Sequence, residues 1–246
     1  MSKLLNKILK VFLTLLIPFV IVLGVVRLVA TEPYLAFEYG KSDFPDDPFG
    51  FDRTQRLAYA AANLQFITQN QSLEDLAGQE QNGNKLYNSR ELKHMEDVQN
   101  VYQAVWGVWQ VALFMAVLCG LALNWRKESR LAFASVLKAG GAFTSGLVLV
   151  VGLVAIVAWQ TWFSVFHQIF FATGSWMFSF SDTLIRLFPE KFWYDASLTI
   201  ASLSVLVGSL VYWVGSRFST INKGETDLGE NENPQSLEPA TPHQGF

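Results

Sequence analysis

The sequence predicts an all-α membrane protein with four transmembrane helices, an extracellular helical cap and an interfacial aromatic segment. Apolar residues make up 51% of the 246 residues and charged residues only 16%, whereas soluble domains carry about a quarter charged residues. The charges avoid four stretches, which run over 11–26, 98–125, 139–181 and 196–216. With its apolar flanks, each stretch is long enough for a helix of roughly 20 residues that crosses the hydrocarbon core.

The first span is predicted over residues 11–30, after three lysines that precede it. This start also resembles a secretory signal peptide with cleavage after Ala30. Arg27 and Leu28 are unfavourable beside such a cleavage site, and three more spans follow, so we expect an uncleaved span. The other spans are predicted over 104–125, 139–158 and 196–215.

Basic residues predict the orientation of the four spans. Four of them closely follow the second span: Arg126, Lys127, Arg130 and Lys138. By the positive-inside rule this loop and the amino terminus are cytoplasmic, and four spans return the carboxyl terminus to the same side. We therefore expect a multi-pass protein of the cytoplasmic membrane. Residues 1–222 form its membrane domain, and the polar tail over 223–246 is predicted to be a disordered cytoplasmic segment.

The segment between the first two spans, residues 31–103, is the predicted outer cap and carries twelve acidic and six basic residues. Three helix starts are predicted there from cap residues followed three positions later by an acid or an amide: Asp52 with Gln55, Ser72 with Asp75, and Asn88 with Glu91. No Gly or Pro interrupts the chain from Asn88 to Trp106, so the third helix is predicted to continue into the second span.

A second outer part is predicted over residues 159–195 and is called the aromatic segment here. The 43 uncharged residues from Ala139 to Ser181 are about twice what one span needs, and their later half is rich in Trp and Phe. Aromatic residues collect where a chain meets the lipid headgroups. The aromatic segment is therefore predicted to lie along the outer membrane interface.

Two histidines, His94 and His167, are predicted on the same outer side of the membrane at similar depth. Taken singly, each is explained as an amphipathic ring that anchors the protein at the interface, and its neighbours decide whether it is a functional candidate. His167 lies among Trp and Phe, where an ionisable group is costly and is a functional candidate. Glu91, His94 and Asp97 are spaced by three residues, and Asp97 is the expected carboxylate partner of an imidazole that acts as a general base.

Other chemistry has little support in the sequence. Glu91 and His94 match half of a di-iron ligand motif, but a second copy is missing, and Cys119 is the only cysteine, so no metal site is predicted. No nucleophile elbow of the GxSxG type is present. The charge-free spans without a visible repeat also argue against a transporter.

Three stretches of the chain carry a family resemblance: FEYGKSDFPDDPFGF (37–51), NSRELKHMEDVQNVY (88–102) and FHQIFFATGSWMFSFSDTLIRLFPEKFWYD (166–195). In these motifs, and in its four spans and large outer segment, the chain resembles the bacterial lipoprotein intramolecular transacylase (Lit) family over about residues 5–216. The acidic tail lies outside the family pattern.

The resemblance implies a defined acyl transfer. The sn-2 acyl chain of a diacylglyceryl lipoprotein moves to the α-amine of that lipoprotein's own amino-terminal cysteine and leaves a lyso-form lipoprotein. The catalytic histidines of the family match His94 and His167, one as base and one as proton donor, and apolar surroundings favour His167 as the base. No cofactor and no nucleic-acid partner are implied. The partners are diacylglyceryl lipoproteins and membrane lipid, and the oligomeric state stays unspecified.

Four further residues are predicted to support the reaction, and three of them have an ordinary structural alternative. Arg27 would contact an ester carbonyl or a lipid headgroup, or else extend its charged head to the interface. Glu38 and Tyr39 would hold the substrate ammonium or orient a histidine, or else cap a local turn. Arg90 would pair with acids on its own helix.

Two rival functions stay open from the sequence. The same histidines would serve a lipid hydrolase or an intermolecular acyltransferase. A non-enzymatic lipid-binding or metal-binding membrane protein is the other alternative.

Overall fold

The computed structural model describes residues 3–125 and 127–231, and in this part of the chain helices dominate. The helices are α1 (Lys3–Val29), α2 (Glu32–Gly40), α3 (Arg53–Gln69), α4 (Leu73–Ala77), α5 (Ser89–Asn124), α6 (Lys127–Val157), α7 (Trp159–Phe170), α8 (Thr183–Leu187) and α9 (Glu190–Asn231). Two short strands, β1 (Glu80–Gln81) and β2 (Asn84–Lys85), pair antiparallel. The predicted all-α fold class is confirmed.

Four of the described helices are long and apolar enough to cross a membrane: Leu4–Val29, Ser89–Asn124, Ser129–Val157 and Glu190–Ile221. They correspond to the four predicted spans, but each helix extends past its span because charged residues at the ends stay helical. α6 begins at Lys127 rather than at 139. α9 continues to Asn231, so the first nine residues of the tail predicted to be disordered are helical, and the rest of the tail lies outside the described residues.

Small residues bring α6 and α9 into close contact. A Cβ atom on Gly141 would lie 2.5 Å from the carbonyl oxygen of Gly208 and 2.5 Å from the backbone nitrogen of Tyr212. The hydroxyls of Ser145 and Ser209 lie 3.3 Å apart at the same interface. Such small residues let the backbones of membrane helices approach each other and gain van der Waals contact.

The first helix packs on α5 and α6 through an apolar stripe at helical spacing. Leu13, Ile17 and Ile21 form a buried cluster with Cys119, Leu123 and Val136. Nearer the cap, the indole Nε1 of Trp109 donates a hydrogen bond to the carbonyl of Val20 at 2.9 Å. Gly24 makes room for that indole, because a Cβ there would lie 3.3 Å from Nε1.

The cap, residues 31–103, holds α2, α3, α4, the hairpin and the first turns of α5. All three predicted helix starts are present, with capping boxes at Asp52 for α3 and at Asn88 for α5, whereas α4 begins after Ser72 without a hydrogen bond from the Ser72 side chain. The predicted continuation of the cap helix into the second span is confirmed, since α5 is unbroken from Ser89 to Asn124. A separate apolar core joins the cap to α8: Phe51, Phe66, Leu76, Leu86, Tyr87, Met95, Leu184 and Leu187.

The aromatic segment, residues 159–195, begins with α7 directly after α6. No residue of α7 is buried, and its apolar side chains are exposed along one side: Val165, Phe166, Ile169 and Phe170. The chain then turns at Gly174, which adopts a positive φ of 84°. This turn directs residues 175–182 back toward α5 before α8 begins.

Candidate active site: a histidine pair among aromatic rings

His94 lies in the second turn of α5, whose start is fixed against α8. The carboxylate of Glu91 closes the capping box on the backbone of Asn88 at 2.9 Å and accepts a second hydrogen bond from the backbone of Leu184 at 2.8 Å. Glu91 is 1% exposed, so this carboxylate serves the helix junction and is not free to contact the imidazole. His94 is therefore held at a rigid corner of the cap.

His167 lies on α7, and one backbone carbonyl defines the chemistry of its ring. Its Nδ1 lies 2.8 Å from the carbonyl oxygen of Phe163. Because a carbonyl oxygen only accepts, Nδ1 carries the hydrogen and Nε2 keeps its lone pair. Burial lowers the pKa of His167 below its ordinary value of 6.5, and the hydrogen bond to Phe163 offsets this only in part. The imidazole of His167 is therefore mainly neutral at pH 7.

The two imidazoles face each other. Their ring centroids lie 6.4 Å apart, with 24° between the ring planes. His94 is only 8% exposed, and its Nδ1 is buried without a hydrogen-bond partner among the residues that the structure describes. Burial disfavours the charged imidazolium, so the pair offers two neutral rings that accept or donate protons. The structure brings together the two histidines that the sequence predicted as catalytic.

Aromatic rings enclose the pair on several sides. The centroid of His94 lies 4.9 Å from that of Phe171 and 5.3 Å from that of Phe178. The centroid of His167 lies 4.1 Å from that of Phe163 and 4.8 Å from that of Trp176. These apolar rings lower the local dielectric around the pair, which strengthens a hydrogen bond that forms there.

Sequence reasoning missed the role of the rings that follow α7. Trp176 and Phe178 belong to the segment predicted to lie along the outer interface, and the turn at Gly174 brings their rings against the histidines. In that turn Ser175 bonds the carbonyl of Ala172 through both its backbone nitrogen, at 3.1 Å, and its hydroxyl, at 2.8 Å. The density of aromatic residues was the only available signal, and it does not distinguish a pocket wall from an interfacial surface.

The expected partner of His94 is engaged elsewhere. Asp97 forms an ion pair with Lys93, one turn earlier on α5, at 3.0 Å, and it is not hydrogen-bonded to the imidazole. The spacing of three residues allowed a contact with His94, but the opposite charge at i−4 competes for the same carboxylate. In this structure Asp97 therefore pairs with Lys93 and makes no hydrogen bond to His94, and its role as the carboxylate partner of His94 stays a prediction.

Arg90 also has a different partner from the predicted one. Its guanidinium pairs with Asp182 at 3.1 Å, across the junction with α8, and not with an acid on its own helix. The same guanidinium lies 5.4 Å from the ring centroid of Phe178. Arg90 thus holds one wall of the histidine pocket through a cation–π contact.

Glu38 and Tyr39 lie in the cap but belong to other networks. The Glu38 carboxylate, fully buried, pairs with Lys41 at 2.7 Å, and Lys41 also contacts Asp195 of α9 at 3.0 Å. Burial raises the pKa of the Glu38 carboxyl, and Lys41 opposes that rise. The Tyr39 hydroxyl donates to the carbonyl of Leu187. Neither side chain is hydrogen-bonded to a histidine.

Arg27 lies at the far end of α1, on a different face of α5 from His94. Its guanidinium donates to the hydroxyl of Tyr102 and lies 4.9 Å from the ring centroid of Trp106. These contacts neutralise much of the cost of an arginine near the hydrocarbon core. Arg27 fastens α1 to α5 and is not in contact with the histidine pair.

Metal-binding side chains are not concentrated anywhere in residues 3–125 and 127–231. Within these ranges no group of three or more His, Cys, Asp or Glu residues is arranged to hold a metal ion. The buried acids instead bind lysine, arginine and backbone nitrogen.

The chain is similar to known proteins in sequence and in fold. The family model "Lipoprotein intramolecular transacylase Lit" matches residues 11–193, most of the chain. The chain belongs to the Lit family. An uncharacterized protein of Aquifex aeolicus (strain VF5) is 31% identical over 222 residues, which cover 89% of this chain and 99% of that protein.

Solved structures share the fold. The membrane-integral lipoprotein intramolecular transacylase Lit of Bacillus cereus superposes with a TM-score of 0.77 at 17% identity, over 90% of this chain and 99% of that one. A variant of the same protein with a histidine mutated to arginine gives a TM-score of 0.57 at 17% identity, over 90% of this chain and 95% of that one. At this identity the likeness concerns the architecture of the Lit family, that is, the four-span membrane domain and its cap.

Proposed function

We propose that this Lit-family chain is a membrane acyltransferase that acts on diacylglyceryl lipoproteins. It moves the sn-2 acyl chain from the glycerol ester to the α-amine of the lipoprotein's own amino-terminal cysteine. Family membership and the paired neutral imidazoles support this reaction. The observation that carries it is the free Nε2 of His167, fixed by the bond from Nδ1 to Phe163, opposite the ring of His94.

The substrate already holds both reacting groups. The ester and the amine of one lipoprotein are joined by a short chain of bonds, so the enzyme mainly has to fold them into contact. Restraining such a pair can be worth about 7–11 kcal/mol of the barrier. The rings of Phe171, Phe178 and Trp176, which lie against the two histidines, would restrain the substrate for this folding step.

The proton balance needs one base and one hydrogen-bond donor. The neutral amine attacks the ester carbonyl carbon, a C–N bond forms, and Nε2 of His167 takes the proton that the nitrogen loses. The tetrahedral intermediate then breaks its bond to the glycerol oxygen, and the imidazolium of His167 returns the proton to that oxygen. The N–H of His94 stabilises the negative charge that develops on the leaving oxygen. Bonds and protons balance without an acyl-enzyme.

The orientation proposed from the basic residues agrees with this chemistry. With both termini in the cytoplasm, the cap and the aromatic segment lie on the outer face of the cytoplasmic membrane. The diacylglyceryl group of a lipoprotein is anchored in the outer leaflet with its ester and amine at the interface. The exposed apolar side of α7, with Phe166 and Ile169, would then contact the lipid around the substrate.

The direct test is mass spectrometry of a reporter lipoprotein made in a host that lacks other lipoprotein N-acylation. With the wild-type chain we expect one acyl chain on the cysteine amine and one on glycerol. His94→Ala and His167→Ala should leave the reporter diacylated with a free amine. A free amine with well-expressed wild-type protein would contradict the proposal, whereas released fatty acid would indicate a hydrolase.

A further inference from the structure

One indole beside the histidine pair has a polar atom that no part of the proposed proton path uses. Nε1 of Trp176 is buried and has no hydrogen-bond partner among the described residues. The ring lies 4.8 Å from that of His167, with 33° between the planes, and 6.3 Å from that of Phe163. Trp176 is therefore a fixed donor next to the proposed base.

A buried N–H without an acceptor is uncommon and calls for an explanation, because each such group loses its hydrogen bonds to water without replacement. Trp109 shows the ordinary outcome in this protein, since its indole donates to the carbonyl of Val20 at 2.9 Å. Across the described residues, the buried side-chain atoms without a partner include two in this pocket, His94 Nδ1 and Trp176 Nε1. Two unpaired polar atoms around one pair of rings point to a polar ligand.

The position of the indole limits which substrate atom it reaches. The attacking amine must lie about 3 Å from Nε2 of His167 to transfer its proton, so the ester carbonyl is next to that ring. Trp176 packs on the same ring and is held there by the turn at Gly174. The Ser175 hydroxyl stabilises this turn through its hydrogen bond to the carbonyl of Ala172. A donor that is already fixed needs no reorganisation when negative charge develops.

We propose that Trp176 is a catalytic residue whose Nε1–H binds the carbonyl oxygen of the sn-2 ester and the oxyanion derived from it. This inference rests on the proposed function. When the amine adds to the carbonyl carbon, the C=O π pair moves onto oxygen, and the indole hydrogen bond strengthens without transfer of its proton. When the C–O bond to glycerol breaks, the pair returns to the new amide carbonyl.

The test replaces the N–H and keeps the ring. β-(3-Benzothienyl)alanine at position 176 has nearly the shape of tryptophan with sulfur in place of N–H, and Trp176→Phe is the genetically simpler companion. We expect each to lower the single-turnover rate of transfer about 10²- to 10³-fold, the usual effect of losing one oxyanion donor. For the benzothienyl protein the affinity for the diacylated lipopeptide should fall less than about tenfold, the usual effect of losing one neutral hydrogen bond, and the unfolding temperature should be unchanged.

Trp193→Phe is the matched control, because that indole is 41% exposed and packs on Phe188 and Phe192 instead of on a histidine. It should retain the wild-type rate. A benzothienyl protein within threefold of the wild-type rate, or one impaired only in KM, overturns the role of Trp176 while the proposed function stands. A wild-type protein that makes no N-acylated product removes the proposed function itself.

Discussion

The histidine pocket and the acidic cluster around Glu38 both contain buried polar groups, but the cluster is joined by ion pairs whereas the pocket is lined by aromatic rings. In the cluster, Glu38, Lys41 and Asp195 are joined by ion pairs of 2.7 and 3.0 Å, and Lys191 adds another to Asp195 at 2.8 Å, while Oε1 of Glu38 has no hydrogen-bond partner within the described residues. In the pocket, His94 and His167 share aromatic walls, and Nδ1 of His94 and Nε1 of Trp176 have no partner within the described residues.

The contrast separates residues that hold the fold from residues available to a substrate. Glu38 is paired with Lys41 and is not hydrogen-bonded to a histidine, whereas a neutral imidazole with an available lone pair is reactive. By their contacts Glu38, Tyr39, Glu91 and Arg27 are positioning or packing residues. The histidines, with Trp176, form the proposed catalytic group.

The largest expected effect is the loss of either histidine. His94→Ala and His167→Ala should each lower the rate of acyl transfer about 10²- to 10⁴-fold, the range for general acid–base groups. Single-turnover mass spectrometry on purified protein measures the rate. His243→Ala, the third histidine of the chain, is the control and should retain the wild-type rate. If His94→Ala or His167→Ala also kept the wild-type rate, that histidine would have no part in the mechanism.

The pH dependence of kcat/KM tests the difference between the two regions, because the proposed base, His167, lies in the histidine pocket. The α-amine of the substrate loses its proton near about 8, so the rate should fall about tenfold per pH unit below that value. Since the pKa of His167 is lowered by burial, its protonation should steepen this fall only below 6.5. A second break above pH 6.5 would contradict a neutral His167 as the base.

Glu38 should affect stability rather than catalysis. Glu38→Ala removes a fully buried carboxylate and one partner of Lys41, so we expect the free energy of unfolding to fall by about 1–3 kcal/mol. The transfer rate per folded molecule should stay within threefold of wild type. Thermal unfolding in detergent and single-turnover rates give the two numbers. Glu32→Ala is the control, because Glu32 is an exposed acid on the same helix. A tenfold loss of rate in Glu38→Ala would mean that Glu38 takes part in catalysis.

The smallest expected effect belongs to Asp97. Asp97→Asn removes the ion pair with Lys93 but removes no hydrogen bond of His94, so the transfer rate should change by less than threefold. Because the pair is partly exposed, the stability should also change little. Steady-state kinetics beside His94→Ala measures the difference. A loss above tenfold would mean that Asp97 orients His94 during the reaction.

Much of the fold could be predicted because its signals are local or follow from the membrane. Charge-free stretches indicated four spans, and the boxes at Asp52 and Asn88 started helices where the structure has them. Span ends were predicted less well, since α6 and α9 continue as helices through charged residues that the hydropathy pattern excludes. Hydropathy indicates which residues tolerate lipid, whereas the backbone hydrogen bonds of a helix continue beyond the lipid into the charged residues at its ends.

The pocket could be predicted only in its two titratable residues. The partners of Arg90 and His94 come from residues roughly 75 to 90 positions later, and no spacing rule within one helix indicates them. Asp97 had two acceptable partners at helical spacing, and the stronger charge attraction of Lys93 decided between them. The turn at Gly174 brings Trp176 over His167, which a composition of Trp and Phe does not specify.

The central claim, acyl transfer within one lipoprotein, is tested most directly by an isotope-mixing experiment with the purified chain. Two diacylglyceryl lipopeptides are combined, one with a deuterated sn-2 acyl chain and the other with a heavy-isotope peptide. The account predicts that each N-acylated product keeps the acyl chain of its own precursor, and that His167→Ala forms no product. Products that carry the deuterated chain on the heavy peptide would contradict it and establish intermolecular transfer.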